Sequence, residues 1–454
     1  MSKVAQPATK TARHESDVRG YPHFMTVLGG QTISVFGSQM AAFAISIWIY
    51  HETGSVLQFG AVIAAQLLPA VIFAPLSGVM VDRYRRKNVM IASEVALIAV
   101  SLLIYAVISA GKLTPTTILV FFPLMGLFGS VHQIAYASSI PLLVPRAAYG
   151  RANGYVQVGI NGSAAVVPLI SVIVLEGLGL GAVILLNVAT YVVAVVSLMF
   201  AKFADIPERA RAATGSGLKQ LLSQQSFGVR YIWSHRTLLV LVVFMGAVSF
   251  LSGMVLVLFR PMILSTESAT VLGWLVTIAG IGGLAGAVVA ATVSRRSEKV
   301  HTLLVASAVS GLSMVWCGLS TNLVLLAALV FVFSFSAPFI LVAAQTLMQT
   351  ITPTEIQGRV FASRAALAGI ALITAVIFSP MLAENLFGPW MREGHMLAPV
   401  ADLLDAGKSA GMRVVFILVG LAMVLLSAVS VQGRHFRALR RQIQEGELLA
   451  PTPA

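Results

Sequence analysis

The chain has 454 residues, of which 57% are hydrophobic and only 10% charged, with a net charge of +13; soluble domains carry about 25% charged residues, so this surface suits lipid rather than water. The basic residues sit in short gaps between apolar runs, without aromatic RNA-binding signatures, which argues against nucleic acid as partner. A lone cysteine, Cys317, inside an apolar run excludes an internal disulfide, no Cys/His cluster offers a metal site, and no cofactor is expected.

Residues 1–23 are polar and basic, with no apolar core of a cleavable signal, and read as a cytoplasmic tail. A spanning helix needs about 20 apolar residues. Twelve runs meet that need, at 24–50, 57–81, 89–110, 116–143, 153–175, 180–201, 237–260, 270–293, 302–320, 323–348, 360–384 and 411–431. They are continuously apolar rather than alternating, which excludes barrel strands. The fold class expected is an all-α polytopic membrane protein of twelve transmembrane helices. With the N-terminus cytoplasmic, the segments on that side collect 24 of the 30 Lys and Arg residues. The positive-inside rule then puts both termini in the cytoplasm.

The gap at 202–236 divides the chain, and its stretch Leu218–Trp233 mixes apolar with basic residues as an interfacial helix does. The expected organisation is a six-helix bundle at 24–201, this linker, a second bundle at 237–431 and a cytoplasmic tail at 432–454. A shift of 208 residues places Pro145 on Pro353, Gly150 on Gly358, Arg151 on Arg359 and Gly78 on Gly286. A shift of six helices preserves orientation, so the halves form a parallel, pseudo-symmetric repeat.

After the second run the chain reads G-V-M-V-D-R-Y-R-R-K, Gly78 to Lys87. This resembles the signature loop of the major facilitator superfamily, with Gly78, Asp82, Arg83, Arg86 and Lys87 in the matching positions and Arg85 replacing a glycine. The resemblance implies a major facilitator fold and a loop that latches the two halves in one state. The second-half copy keeps Gly286 but has Ala290 where Asp82 would map, so such a latch is asymmetric. The segments G-Q-T-I-S-V-F-G-S-Q, W-I-Y-H-E-T-G-S and Ile140 to Gly154 resemble the macrolide-efflux and siderophore-exporter branch of drug/proton antiporters. Two departures stand against that branch: the fourth helix lacks a basic residue, and the fifth carries Val167-Pro168 instead of the antiporter Gly-Pro.

Polar residues inside spans face a cavity or a helix partner. Gln31, Ser34 and Ser38 share a face of the first helix, as do Gly126, Ser130, Gln133 and Tyr136 of the fourth; the tenth offers Ser334 and Gln345, the seventh Ser249 and Ser252, the fifth Gln157 and Asn161. The cavity candidates are Gln31, Ser38, Gln133, Tyr136, Asn161 and Gln345, with plain helix packing as the other reading of each. Glu94, His132 and Arg364 are the coupling candidates. Glu94 reads first as a partner of the nearby basic loop, His132 as a buried hydrogen-bonded histidine, and Arg364 as a side chain snorkelling to the headgroups. With no carboxylate apparent at mid-membrane, a large neutral or amphipathic substrate is expected.

These features imply a non-enzymatic secondary transporter, exporting drug-, macrolide- or siderophore-like compounds by alternating access with proton coupling. The expected setting is a bacterial plasma membrane, with lipid around a monomer and a small molecule and a proton as partners. An importer or a lipid or lysolipid flippase of the same fold is the alternative, and a membrane sensor or scaffold is the alternative of another class. No nucleophile–base constellation and no phosphate-binding loop is present for an enzyme or an ATPase.

Overall fold

The computed structural model describes residues 10–73, 77, 80–81, 83–145, 148–203, 227–293, 298–353, 356–391, 409–433 and 436–437. All regular structure among them is helical. In chain order the helices are α1 (Lys10–Thr53), α2 (Val56–Ile72), α3 (Arg86–Ser109), α4 (Pro115–Leu143), a 52-residue segment Tyr149–Phe200, α7 (Arg236–Leu264), α8 (Ala269–Val293), α9 (Lys299–Leu319), α10 (Leu323–Ile351), α11 (Gln357–Met381) and α12 (Ala410–Gln432). The long segment breaks at Gly179, whose φ of 81° and ψ of 171° are not helical. Its arms, 149–178 (α5) and 180–200 (α6), are two spans, matching the interruption expected between 175 and 180. Among the described residues ten helices, that segment counted once, are long and apolar enough to cross a membrane, and α2 is a shorter apolar helix. With the break counted there are eleven such spans, and α2 stands as a twelfth, shorter helix where the second span was expected.

Gly179 reverses the chain in a single residue. Its conformation is open essentially to glycine alone, and a side chain there costs about 1–3 kcal/mol. Gly179→Ala should therefore lower the yield of folded protein without touching any polar group, measurable as a lower midpoint for thermal aggregation in detergent.

The repeat extends to the helix ends. Shifting α4 by 208 residues gives the bounds of α10, and shifting the start of α5 gives the start of α11. The caps follow: Thr114 caps α4 through its hydroxyl, and Asn322, its equivalent, caps α10 through its amide oxygen. The halves differ at their last connection, since residues 382–409 separate α11 from α12 where Gly179 alone separates α5 from α6. The first part of that connection is a π-helical turn, Leu382–Phe387.

The second half has a large apolar core that runs across the boundary into the first, taking in Phe43, Ile47 and Tyr50 of α1, Val56 and Phe59 of α2, and Val172 of α5. These residues lie toward the helix ends remote from the basic loop at 83–87. The halves are therefore joined on the face opposite the basic loops, along α5 against α8 and α2 against α11. Gly280 of α8 lies on the Ala165 backbone of α5, where a Cβ would overlap main-chain atoms. Such close approach between membrane helices is what small residues permit.

Of the linker, 227–234 is described and helical. Its Tyr231 and Ile232 are buried in the second-half core, and Arg359 lies 4.4 Å over the Phe227 ring. Arg230 and Trp233 point outward. The amphipathic pattern read as an interfacial helix thus has its apolar side docked on the bundle in this part; residues 218–226 lie outside the described residues.

Candidate functional site

A cavity of about 480 Å³ opens within the first half, walled by α1 to α6. Helix periodicity builds it. Gln31, Ser34 and Ser38 form one stripe on α1; Glu94, Leu97 and Ser101 form another on α3; Gly129, His132, Gln133 and Tyr136 line it from α4. Gln66 reaches it from α2, and Ile184, Asn187 and Tyr191 from α6.

Glu94 is fully buried (0% exposed). Its carboxylate accepts from the Ser34 hydroxyl at 3.2 Å, and His132 Nε2 lies 3.4 Å from its Oε1. The same imidazole nitrogen donates to the Gln31 amide oxygen at 2.6 Å. Ser38 donates to the Ser34 carbonyl at 2.8 Å, and its oxygen is 3.0 Å from the Tyr191 hydroxyl. The cluster thus links α1, α3, α4 and α6 around one carboxylate that meets a hydroxyl and an imidazole. Tyr136 Oη is buried beside it with no hydrogen-bond partner among the described residues. An unpaired buried hydroxyl costs about 1–3 kcal/mol, so a ligand that supplies a partner gains that much.

This geometry corrects two expectations. Glu94 does not pair with the basic loop: Arg86 donates to the Ser138 carbonyl of α4, and Lys87 to the Met199 and Ala201 carbonyls at 3.0 and 2.8 Å. Cations are unfavourable in the first turn of α3, and the carbonyl ends of α4 and α6 are where they are stabilised. Nor is the cavity free of carboxylate: Glu94 lies eight residues from the start of α3, about 12 Å along the helix. His132 is hydrogen-bonded, as its favoured reading required.

Of the cavity candidates, Gln31, Ser38, Gln133 and Tyr136 line the cavity. Asn161 is half-buried on α5 and Gln345 exposed on α10, and neither is on its wall. The stripes on α7 and α10 are not on it either. Arg364 is half-buried on α11, away from Glu94. Gly78 and Asp82 lie outside the described residues; Arg83 is exposed. Arg86 and Lys87 bind within the first half. Lys87→Met should lower thermal stability by about 1 kcal/mol through loss of the α6 cap, seen as an earlier melt in detergent.

Asn187 and Tyr191 were missed by sequence reasoning. Their signal was available: two polar residues at i, i+4 inside an apolar span. The contact that turns them inward is α6 on α1, where Gly37 sits against Thr190. The second half does not repeat the site. At the shift that superposes α4 on α10, His132, Gln133 and Tyr136 fall on Ile340, Leu341 and Ala344.

Relatives and solved structures agree with this architecture. The chain is 21% identical to "Macrolide efflux protein A" of Streptococcus pyogenes over 367 residues, covering 80% of this chain and 90% of that protein. It is 26% identical to "Multidrug efflux pump Tap" of Mycolicibacterium fortuitum over 411 residues, covering 87% and 91%. Its fold matches a bacterial homologue of the human lysosomal transporter Spinster in an inward-facing, unoccupied conformation, with a TM-score of 0.68 at 13% identity, covering 95% of this chain and 99% of that one. It also matches a D-xylose–proton symporter, with a TM-score of 0.65 at 14% identity, covering 89% and 97%. The sequence pattern described as Major Facilitator Superfamily matches residues 27–265 and 242–446. With its described helices in two related halves and that match along nearly its whole length, the chain is a multi-pass membrane transporter that belongs to the major facilitator superfamily.

Proposed function

We propose that this transporter exports amphipathic small molecules, drug- or macrolide-like, in exchange for protons. The observation that carries the reading is the Glu94–His132 pair on the wall of a cavity otherwise made of amides, hydroxyls and apolar side chains. A carboxylate with only neutral or titratable neighbours can exist with or without a proton. Charged, it attracts a cationic group of a substrate; neutral, it releases one. Binding of proton and substrate at one place, but not together, is the logic of antiport. This widens the expected substrate from neutral amphiphiles to those bearing an amine. The efflux proteins to which the chain is similar support the direction.

The mechanism is alternating access by rocking of the bundles 24–201 and 237–431 about the cavity, with 202–236 as linker. The seam on the face remote from the basic loops fits a state open toward those loops. By the positive-inside rule that side, with both termini, is cytoplasmic, in a bacterial inner membrane. The loop Gly78 to Lys87 latches the halves in the opposite state, and the monomer is the working unit.

The test is accumulation of macrolides, lipophilic dyes and a siderophore in efflux-deficient bacteria expressing the chain, with and without a protonophore. Lower accumulation that the protonophore abolishes supports gradient-driven export. Unchanged accumulation of every compound, with the protein in the membrane, sinks drug export in favour of import or lipid movement.

A further inference from the structure

Among the described residues three charged side chains cross the seam between the halves, all on the face opposite the basic loops. Arg260 of α7 donates to the Ser46 hydroxyl of α1 at 3.1 Å, and its guanidinium lies 4.8 Å from the centre of the Phe43 ring. Glu384, in the π turn after α11, accepts from the Leu57 N–H of α2 at 2.7 Å and from the Ser55 hydroxyl at 3.0 Å. Glu176 of α5 accepts from Thr270 of α8 at 3.2 Å. In each bond a charge from one half meets a neutral group of the other.

The Glu384 contact has a particular form. The first turn of a helix leaves backbone N–H groups without partners, and its dipole favours an anion. Ser55 caps α2 by accepting from Gln58 N at 3.3 Å. Glu384 takes the preceding amide, Leu57 N, so the cap of a first-half helix is completed by a carboxylate from the second half. An ion pair held across the seam would resist separation. Charge-to-neutral bonds at a partly exposed edge are different, because water can replace the neutral partner as the halves part.

We propose that Glu384 and Arg260 form the releasable clasp of the gate on this face, holding it closed in the state described and passing their bonds to water when it opens. The proposal rests on the alternating-access reading, with this face as the outer one.

The test uses the full chain with Cys317→Ala, spin-labelled at Lys112→Cys and Thr321→Cys, on the turns before α4 and α10 on this face. Distances are measured by pulsed electron paramagnetic resonance in nanodiscs without substrate or gradient. Glu384→Gln keeps the shape and removes the charge; it should raise the population with separated labels about tenfold, the shift set by one charged hydrogen bond. Ser46→Asp gives Arg260 an ion pair and should deplete that population. If Glu384→Gln fails to purify, Arg260→Gln is read in its place with the same expectation. A distance distribution unmoved by Glu384→Gln or its substitute overturns the clasp, even in a protein that pumps. A shifted distribution in a protein that exports nothing leaves the clasp standing and removes the exporter.

Discussion

Replacing Glu94 with glutamine is expected to reduce gradient-driven transport tenfold or more, since about 1.4 kcal/mol of lost coupling is a factor of ten, while the protein still folds. The substitution keeps the volume and an oxygen able to accept from Ser34. It removes the ability to gain or lose a proton. In proteoliposomes the variant should bind an amphipathic dye yet fail to move it when a pH gradient is applied, and counterflow of dye against dye should persist. Gradient-driven transport at the wild-type rate would remove Glu94 from coupling. A collapse in folded yield of Glu94→Gln would mark the residue as structural instead. His132 is the natural companion, because its Nε2 stands between the Gln31 amide oxygen and the Glu94 carboxylate.

Gly280→Val is expected to stop transport from the other direction. The residue packs on Ala165 backbone atoms, which cannot rotate away as a side chain can. Overpacking of about 2 kcal/mol would turn an even balance of states into about 30 to one. The cost falls only on states with the seam closed, so the variant should accumulate with the seam open. Label distances across the face opposite the basic loops should lengthen, and efflux should fall by a similar factor. Gly280→Ala should lie between the two. Normal efflux by the valine variant would mean that α5 and α8 separate during every step, and that this closed seam is no part of the cycle.

The spans were legible because hydrocarbon demands long apolar runs, and the break near Gly179 because Glu176, Gly177 and Gly179 interrupt one. The repeat was legible because Pro145, Gly150 and Arg151 mark a loop whose place in the fold recurs at Pro353, Gly358 and Arg359. Half the site was legible too, since Gln31, Ser38, Gln133 and Tyr136 are polar residues on apolar helices. What sequence could not give was pairing between helices. Glu94 is seven and eight residues from Lys87 and Arg86, two turns along one helix, and proximity in sequence suggested an ion pair. The competing carbonyls at the ends of α4 and α6 are far away in sequence and near in space. Asn161 and Gln345 fail for a similar reason: their polarity identifies them, but only packing decides which cavity a helix face meets.

The single-residue turn at Gly179 fixes α5 to α6 with no slack, whereas α11 and α12 are strung on a long connection. On this hairpin, α5 carries the seam residues Ala165 and Val172, and α6 carries Asn187 and Tyr191 of the cavity wall. Gate and binding wall are thus two arms of one stiff lever. In the proposed rocking, Ser38 and Tyr191 ride in the same bundle, so parting the seam carries their wall of the cavity along with α5, and opening the gate and turning the site are one movement.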